Sequence, residues 1–252
     1  MTSDRPSDQT DFGFRRVTED EKTRLVRDVF DSVASRYDLM NDLMSGGIHR
    51  LWKAQLIERL DPRPGQTLLD LAGGTGDVAR RFLARAGASS AAIICDINES
   101  MVRTGRDRAL DDGAVAELSW LVGNAESLPL PDGSVDVCTI SFGLRNVTRI
   151  PAALREAYRV LKPGGKFLCL EFSRVEVPLL RRAYDVYSFA LLPLLGQIVA
   201  RDRDAYQYLI ESIRRFPPQR KLAAMMREAG FEQVTWRNLS GGIAAIHTGW
   251  HL

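Results

Sequence analysis

Leu68-Leu69-Asp70-Leu71-Ala72-Gly73-Gly74-Thr75-Gly76-Asp77 decides the fold. A β-rich apolar run opens into a glycine cluster and then into a helical pattern. That is the first strand-to-helix turn of a parallel α/β sheet. Glycines at such a turn let the backbone approach a ligand closely, and the following helix offers unpaired N–H groups at its N-terminus. Twenty residues past Gly76, Asp96 closes the next apolar run, where a carboxylate can accept hydrogen bonds from both hydroxyls of a ribose. Asp70, Gly73, Gly74, Gly76 and Asp96 are therefore candidates for holding an adenosine-containing cofactor, although this pairing alone does not say which one.

The alternation continues downstream. Runs at 91–95, 117–122, 134–141 and 166–172 read as further strands, with helices from 77, at 99–110 and at 150–161. Lys162-Pro163-Gly164-Gly165 is a turn. Residues 177–215 read as a helical insert and 221–230 as a helix ended by Gly230. Runs 231–238 and 242–248 read as an antiparallel pair. Continuous apolar strands separated by helices imply a doubly wound, Rossmann-like α/β fold. The expected sheet has seven strands, mostly parallel, with helices on both faces. Upstream, 20–36 has apolar residues at i, i+4 and i+8 and reads as an amphipathic helix. A second helix at 47–60 stops at Asp61-Pro62. The expected organisation is a flexible tail at 1–17, an N-terminal helical lid at 18–60, and a core at 61–252 carrying the insert at 177–215.

Composition limits the function classes. The 252 residues are 45% hydrophobic and 26% charged, which excludes global disorder. Lys and Arg exceed Asp and Glu by only two, against the basic excess of a dedicated nucleic-acid binder. Arginine pairs such as Arg80-Arg81 and Arg214-Arg215 are scattered among acids and read as solvated helix faces. Cys95, Cys138 and Cys169 each lie in an apolar run and read as small core residues, not as a disulfide framework or metal ligands. Residues 1–11 are polar and lack the apolar segment of a secretory signal. Residues 186–200 are free of charge but, at 15 residues, too short to span a bilayer. A cytoplasmic protein of a reducing compartment is expected.

Two cofactor readings compete. Tyr158 and Lys162 have the Tyr-x-x-x-Lys spacing of short-chain dehydrogenases that use NAD(P). Against that reading, the glycine loop comes about 65 residues too late. It also lacks G-x-G-x-x-G, since positions 72 and 79 are Ala, and Lys162 runs directly into Pro-Gly-Gly. A class I methyltransferase using S-adenosylmethionine fits better. Gly123-Asn124-Ala125-Glu126 follows the third strand, where such enzymes bind adenine. Asn124 and the Ala125 backbone can bond an adenine edge, and the end of 134–141 reaches the methionine part.

Longer motifs narrow the class. Tyr37-Asp38-Leu39-Met40-Asn41-Asp42-Leu43-Met44-Ser45, with His49 and Trp52, resembles the N-terminal motif of the ubiquinone/menaquinone C-methyltransferases. Arg159-Val160-Leu161-Lys162-Pro163-Gly164-Gly165, running on to Ser173, looks like that family's second motif. Ser141-Phe142-Gly143-Leu144-Arg145-Asn146-Val147 is similar too. Ala72 departs from the Gly of many methyltransferases, but the family itself shows Ala-Gly-Gly-Thr-Gly. The resemblance implies C-methylation of a polyprenyl benzoquinol or naphthoquinol ring. Its cofactor positions carry over onto Thr75, Asp96, Asn124, Ala125 and Ser141.

The mechanism expected from this resemblance needs no metal. Arg145 is the expected cation for a phenolate. His49 is a candidate base, and Tyr37 joins it in a lid. Asp38, Asn41 and Asn146 are the expected substrate contacts. Residues 186–200 are expected to grip an isoprenoid tail or to touch a membrane interface reversibly. A homodimer and contact with other quinone-biosynthesis proteins are further expectations. The alternatives are a methyltransferase of another lipid or small molecule and a non-catalytic cofactor-binding scaffold.

Overall fold

A computed structural model describes residues 9–33, 42, 45–87, 89–113, 117–175 and 203–252. Seven strands form one sheet: β3 (Thr67–Leu71), β4 (Ala91–Asp96), β5 (Leu118–Val122), β6 (Val135–Ser141), β7 (Leu161–Phe172), β8 (Glu232–Leu239) and β9 (Ala244–Trp250). Their order is β5-β4-β3-β6-β7-β9-β8. Strands β3 to β7 pair in parallel, while β9 runs antiparallel to both β7 and β8. The chain therefore starts at β3, winds outward to β5, then returns and winds the other way. The crevice at such a reversal is where α/β sheets bind ligands.

Each sheet face has its own core because the central strands are apolar on both sides. On one face Leu68 and Ile94 pack with Trp52 and Leu56 of α2 (His49–Leu60) and Phe82 of α3 (Asp77–Ala86). On the other, Leu69 and Cys138 pack with Leu154 of α5 (Ile150–Val160) and Leu222 of α7 (Gln219–Glu228). Between α3 and α5, α4 (Glu99–Asp111) follows β4 and is capped by Asn98, whose side chain accepts from Met101 N at 2.9 Å. The cysteines are all buried and free, as core residues. Asp61 ends α2 in a left-handed conformation at φ 55°, matching the stop expected at Asp61-Pro62. The Lys162-Pro163-Gly164-Gly165 turn lies inside β7 as a bulge: Val135 pairs with Leu161, but the next partner of β6, Val137, pairs with Lys166.

The N-terminal expectation needs correction. Residues 9–18, within the stretch expected as a tail, form an antiparallel hairpin of β1 (Gln9–Phe12) and β2 (Arg15–Thr18). Two four-residue strands are too short to be stable alone. They are held by tertiary contacts with α6 (Arg203–Arg215): the Phe12 ring stacks on Tyr208 at 4.0 Å and Phe14 N donates to Glu211 Oε2 at 2.9 Å. Helix α1 (Glu19–Val33) follows. Of the expected insert, α6 is described, while residues 176–202, and with them 186–200, lie outside the described residues.

Two left-handed residues mark the ends of the central strands. Ala72 after β3 has φ 49° and Phe142 after β6 has φ 56°. A non-glycine residue there is strained and held by its surroundings. The two turns touch, for a Cβ on Gly143 would come within 2.4 Å of the Ala72 Cβ. Gly143 itself has φ −115°, which any residue adopts, so contact alone excludes a side chain. Gly143→Ala is expected to destabilise the protein by about 1–3 kcal/mol through overpacking. Adding Ala72→Gly should restore most of that loss. Urea denaturation of both single variants and the double would measure it, and additive effects would show that the turns do not press on each other.

Candidate functional site

The C-terminal ends of β3, β4, β5 and β6 open into a cleft enclosing about 810 Å3, solvent at its mouth included. Of the residues singled out in the sequence, Gly74, Asp96, Asn124, Ala125 and Asn146 line it. The inner face of α1, with Thr23, Val26, Arg27 and Phe30, closes one side.

Asp96 organises the floor. Its Oδ2 accepts from Gly74 N and its Oδ1 from Asn98 N, both at 2.9 Å. Burial raises its pKa, opposed by the backbone N–H groups of Asn98, Gly74 and Ile97. The carboxylate is thus fixed against the glycine loop while still facing the cleft. Thr75 is buried, and Gly105 of α4 lets the helix approach it: a Cβ on Gly105 would stand 2.8 Å from Thr75 Cα. A Cβ on Gly76 would meet the Trp120 ring at 2.9 Å, so that glycine too is fixed by close approach. Gly105 was not among the sequence candidates, since a lone glycine in a helix gives no periodic signal.

Asp70 sits beneath the loop and does not line the cleft. It is 1% exposed, accepts from Thr139 Oγ1 at 2.6 Å, and blocks any side chain at Gly73, whose Cβ would lie 2.9 Å from Asp70 Oδ2. Burial pushes its pKa from 3.8 up to about 7. A carboxyl raised on folding favours the native state most fully below pH 4, and that contribution is lost as pH rises through 7. Asp70→Asn should therefore raise the melting temperature at pH 8 and gain little at pH 4. The difference, on the order of 4 kcal/mol at most, is readable by thermal unfolding at the two pH values. An equal gain at both would show that Asp70 is ionised throughout.

At the β6 end, Ser141 Oγ is buried and bonds nothing among the described residues. An unsatisfied buried hydroxyl costs about 1–3 kcal/mol, so it is a natural place for a ligand's polar atom. Asn146 Oδ1 accepts from Tyr208 OH at 3.1 Å, which links the cleft wall to α6 and the hairpin.

The structure places Arg145 differently from the sequence expectation of a free cation at the ring. It is 6% exposed and does not line the cleft. Its Nη1 donates to Glu171 Oε1 at 2.7 Å and to Phe142 O at 2.5 Å, and its backbone N–H reaches Glu171 Oε2 at 3.3 Å. Burial raises the Glu171 pKa, against the pull of Arg145. The pair is neutral overall, so a full positive charge is not on offer. One donor is left over, for Arg145 Nε is buried without a partner among the described residues.

His49 also lies off the cleft. It is 4% exposed, with Nδ1 3.1 Å from Ser45 Oγ and 3.5 Å from Asp42 Oδ1. Burial, and then Lys53, lower its pKa, so the ring is neutral at pH 7. Lys53 Nζ reaches Asp77 Oδ2 at 2.9 Å, tying α2 to the residue after the glycine loop. Tyr37, Asp38 and Asn41 lie outside the described residues.

Helix α1 is latched across the cleft on both sides. Lys22 Nζ donates to Val147 O at 3.1 Å, and Thr23 Oγ1 is 3.3 Å from Thr148 Oγ1. On the β4 side, Asn98 Nδ2 donates to Asp31 Oδ1 at 2.9 Å. No helix among the described residues is long and apolar enough to cross a membrane.

Comparison with known proteins gives the same picture. The model of the ubiE/COQ5 methyltransferase family matches residues 16–251. A ubiquinone/menaquinone biosynthesis C-methyltransferase UbiE of Paracoccus denitrificans is 58% identical over 252 residues, covering all of both chains. The protein of that name from Methylobacterium nodulans is 58% identical over 256 residues, again covering all of both. Among solved structures, a SAM-dependent methyltransferase from Aquifex aeolicus superposes with a TM-score of 0.57 at 16% identity, covering 79% of this chain and 89% of the other. The cyclase SpnF superposes with a TM-score of 0.66 at 19% identity, covering 90% and 95%. A shared fold with a cyclase shows why the fold alone does not settle the reaction.

Proposed function

Because the chain belongs to the ubiE/COQ5 methyltransferase family, we propose that it transfers a methyl group from S-adenosylmethionine to a ring carbon of a polyprenyl quinol, in ubiquinone or menaquinone biosynthesis. End-to-end similarity to proteins named for that activity carries the reading. The cleft is suited to the cofactor in its own chemistry. Asp96 would hold the ribose, Asn124 and Ala125 the adenine, and the Gly74 loop with the orphaned Ser141 hydroxyl the methionine part. S-adenosylmethionine, when bound, supplies an electrophilic methyl group.

The residues of the chain must then do two things. They must align the ring carbon, a contribution worth ~7–11 kcal/mol in well-oriented systems. They must also ease ionisation of the neighbouring phenol, which costs ~4 kcal/mol at pH 7 for a pKa near 10. Asn146, which lines the cleft, would bond a ring oxygen. Arg145 contributes through its unpartnered Nε–H and by holding the Phe142 turn, in place of a free charge. Tyr37, Asp38, Asn41 and residues 186–200 enter as lid and tail contacts on the sequence reading, whereas His49 is buried off the cleft. Reversible contact with the inner face of the cytoplasmic membrane follows from the greasy substrate.

A product assay tests the reading. Purified protein with S-adenosylmethionine should methylate demethylmenaquinol, 2-polyprenyl-6-methoxy-1,4-benzoquinol, or both, seen by mass spectrometry. Cofactor binding without transfer to either quinol would shift the substrate to another lipid or small molecule. Calorimetric binding of NAD(P)H in place of S-adenosylmethionine would overturn the methyltransferase class.

A further inference from the structure

The antiparallel edge of the sheet carries a second concave surface. Arg59, Lys166, Arg227, Thr235, Thr248 and Trp250 wall an open groove enclosing about 960 Å3, solvent included. Lys166 faces Val137 on one side and Trp250 on the other, six residues before Phe172 ends β7. The groove therefore lies about 20 Å along the strand from the cleft end.

Three cations meet there, and no carboxylate lines the groove. All their bonds go to neutral acceptors. Arg59 gives Nε to Thr248 Oγ1 at 2.9 Å and Nη2 to Thr235 Oγ1 at 3.1 Å. Arg227 Nη2 reaches Val234 O at 3.1 Å. Lys166 Nζ caps the end of α2 at Arg59 O, 2.6 Å, and Leu60 O, 3.3 Å, and lies 5.1 Å from the centre of the Trp250 ring. Elsewhere several partly buried cations have acids: Lys53 has Asp77, Arg145 has Glu171, and Arg159 has Asp132 and Glu156, whereas Lys22 bonds the Val147 carbonyl.

The structural duties of these side chains do not exhaust them. A guanidinium has five N–H donors in a planar fork. Arg59 spends two groups on threonines and Arg227 one on a carbonyl. Gathering like charges in a partly desolvated groove is unfavourable, and the Lys166 pKa is lowered by burial and then by Arg59. An anion would reverse that cost. Forked donors beside a point charge and an aromatic face suit a phosphate better than a carboxylate alone.

We propose that this groove binds a phosphate-class oxyanion, with Arg59 and Arg227 as the fork, Lys166 as the point charge and Trp250 against the group that bears the phosphate. The chemistry is shared by a soluble phosphate or diphosphate and by a phospholipid headgroup, and the test separates them. The full chain would be titrated with inorganic phosphate and diphosphate, followed by calorimetry and Trp250 fluorescence, with Trp250→Phe to assign the signal. In parallel it would be sedimented with phosphatidylcholine vesicles with and without phosphatidylglycerol. Saturable, salt-sensitive binding of at least one probe is expected, weakened at least tenfold in the Arg227→Gln, Lys166→Met double variant. S-adenosylmethionine affinity in that variant checks the fold, and the milder Arg227→Gln alone, at least threefold weaker, serves if the double does not fold. Free anions binding indicates a soluble ligand, while binding to phosphatidylglycerol vesicles alone indicates a headgroup. No saturable binding of any probe, or binding undiminished in the folded variants, would overturn the proposal.

Discussion

Asp96→Ala is expected to weaken S-adenosylmethionine binding by a hundredfold or more, measured by calorimetry. The carboxylate has two tasks. Internally it accepts the N–H groups of Gly74 and Asn98, so it fixes where the glycine loop stands. Outwardly it faces the cleft, where the proposed ribose would give it two hydroxyls. A hydrogen bond to a charged acceptor is worth about 1.5–3 kcal/mol, so two lost together amount to a few kcal/mol, or two orders of magnitude in affinity. Asp96→Asn should fall between wild type and alanine. An amide keeps one acceptor oxygen, but its NH2 faces a backbone donor and carries no charge. The variants separate loop support from ribose recognition if adenine is also titrated. Adenine lacks the ribose, so it should lose much less affinity than the nucleoside cofactor. Cofactor affinity within threefold of wild type in Asp96→Ala would remove Asp96 from the site.

The succession of strands and the glycine turn were legible because they rest on local signals. An apolar run plus glycines fixes β3 and its turn, and Asp96 lies at a set distance from it. Residues 162–165, read as a turn before the strand, lie inside β7 as a bulge, and that depends on pairing with β6. What the sequence hid is long-range. The hairpin at 9–18 has little apolar pattern of its own and depends on Tyr208, almost two hundred residues away. Helix α1 showed its amphipathic period, but only the fold shows that this face walls the cofactor cleft. Arg145 looked like a free cation because its partner, Glu171, lies 26 residues on. Parallel pairing of β6 with β7 brings their ends together.

That pairing changes what an Arg145 variant means. Arg145→Ala should lower stability by about 3–5 kcal/mol, because it leaves the Glu171 carboxylate buried and unpaired. Turnover would fall as well, but a drop in a destabilised protein does not separate positioning from folding. The informative variant is Arg145→Met with Glu171→Leu, which removes both charges and keeps the volume. Replacing a buried ion pair by apolar groups is often neutral or stabilising, so the melting temperature should recover well above that of Arg145→Ala, short of wild type because the Arg145 and Phe172 backbone N–H groups lose their Glu171 acceptor. Turnover should nevertheless stay at least tenfold down, with cofactor affinity nearly intact. Two losses on the Arg145 side remain in the double variant. The Phe142 turn loses the donor on its carbonyl, and Phe142 is held at φ 56° beside the cleft. The Arg145 Nε–H, buried without a partner among the described residues, is gone too. A double variant with wild-type turnover would show that the pair only seals the core. One with recovered stability and impaired turnover would give Arg145 a positioning role through the Phe142 turn, without a net charge at the cleft.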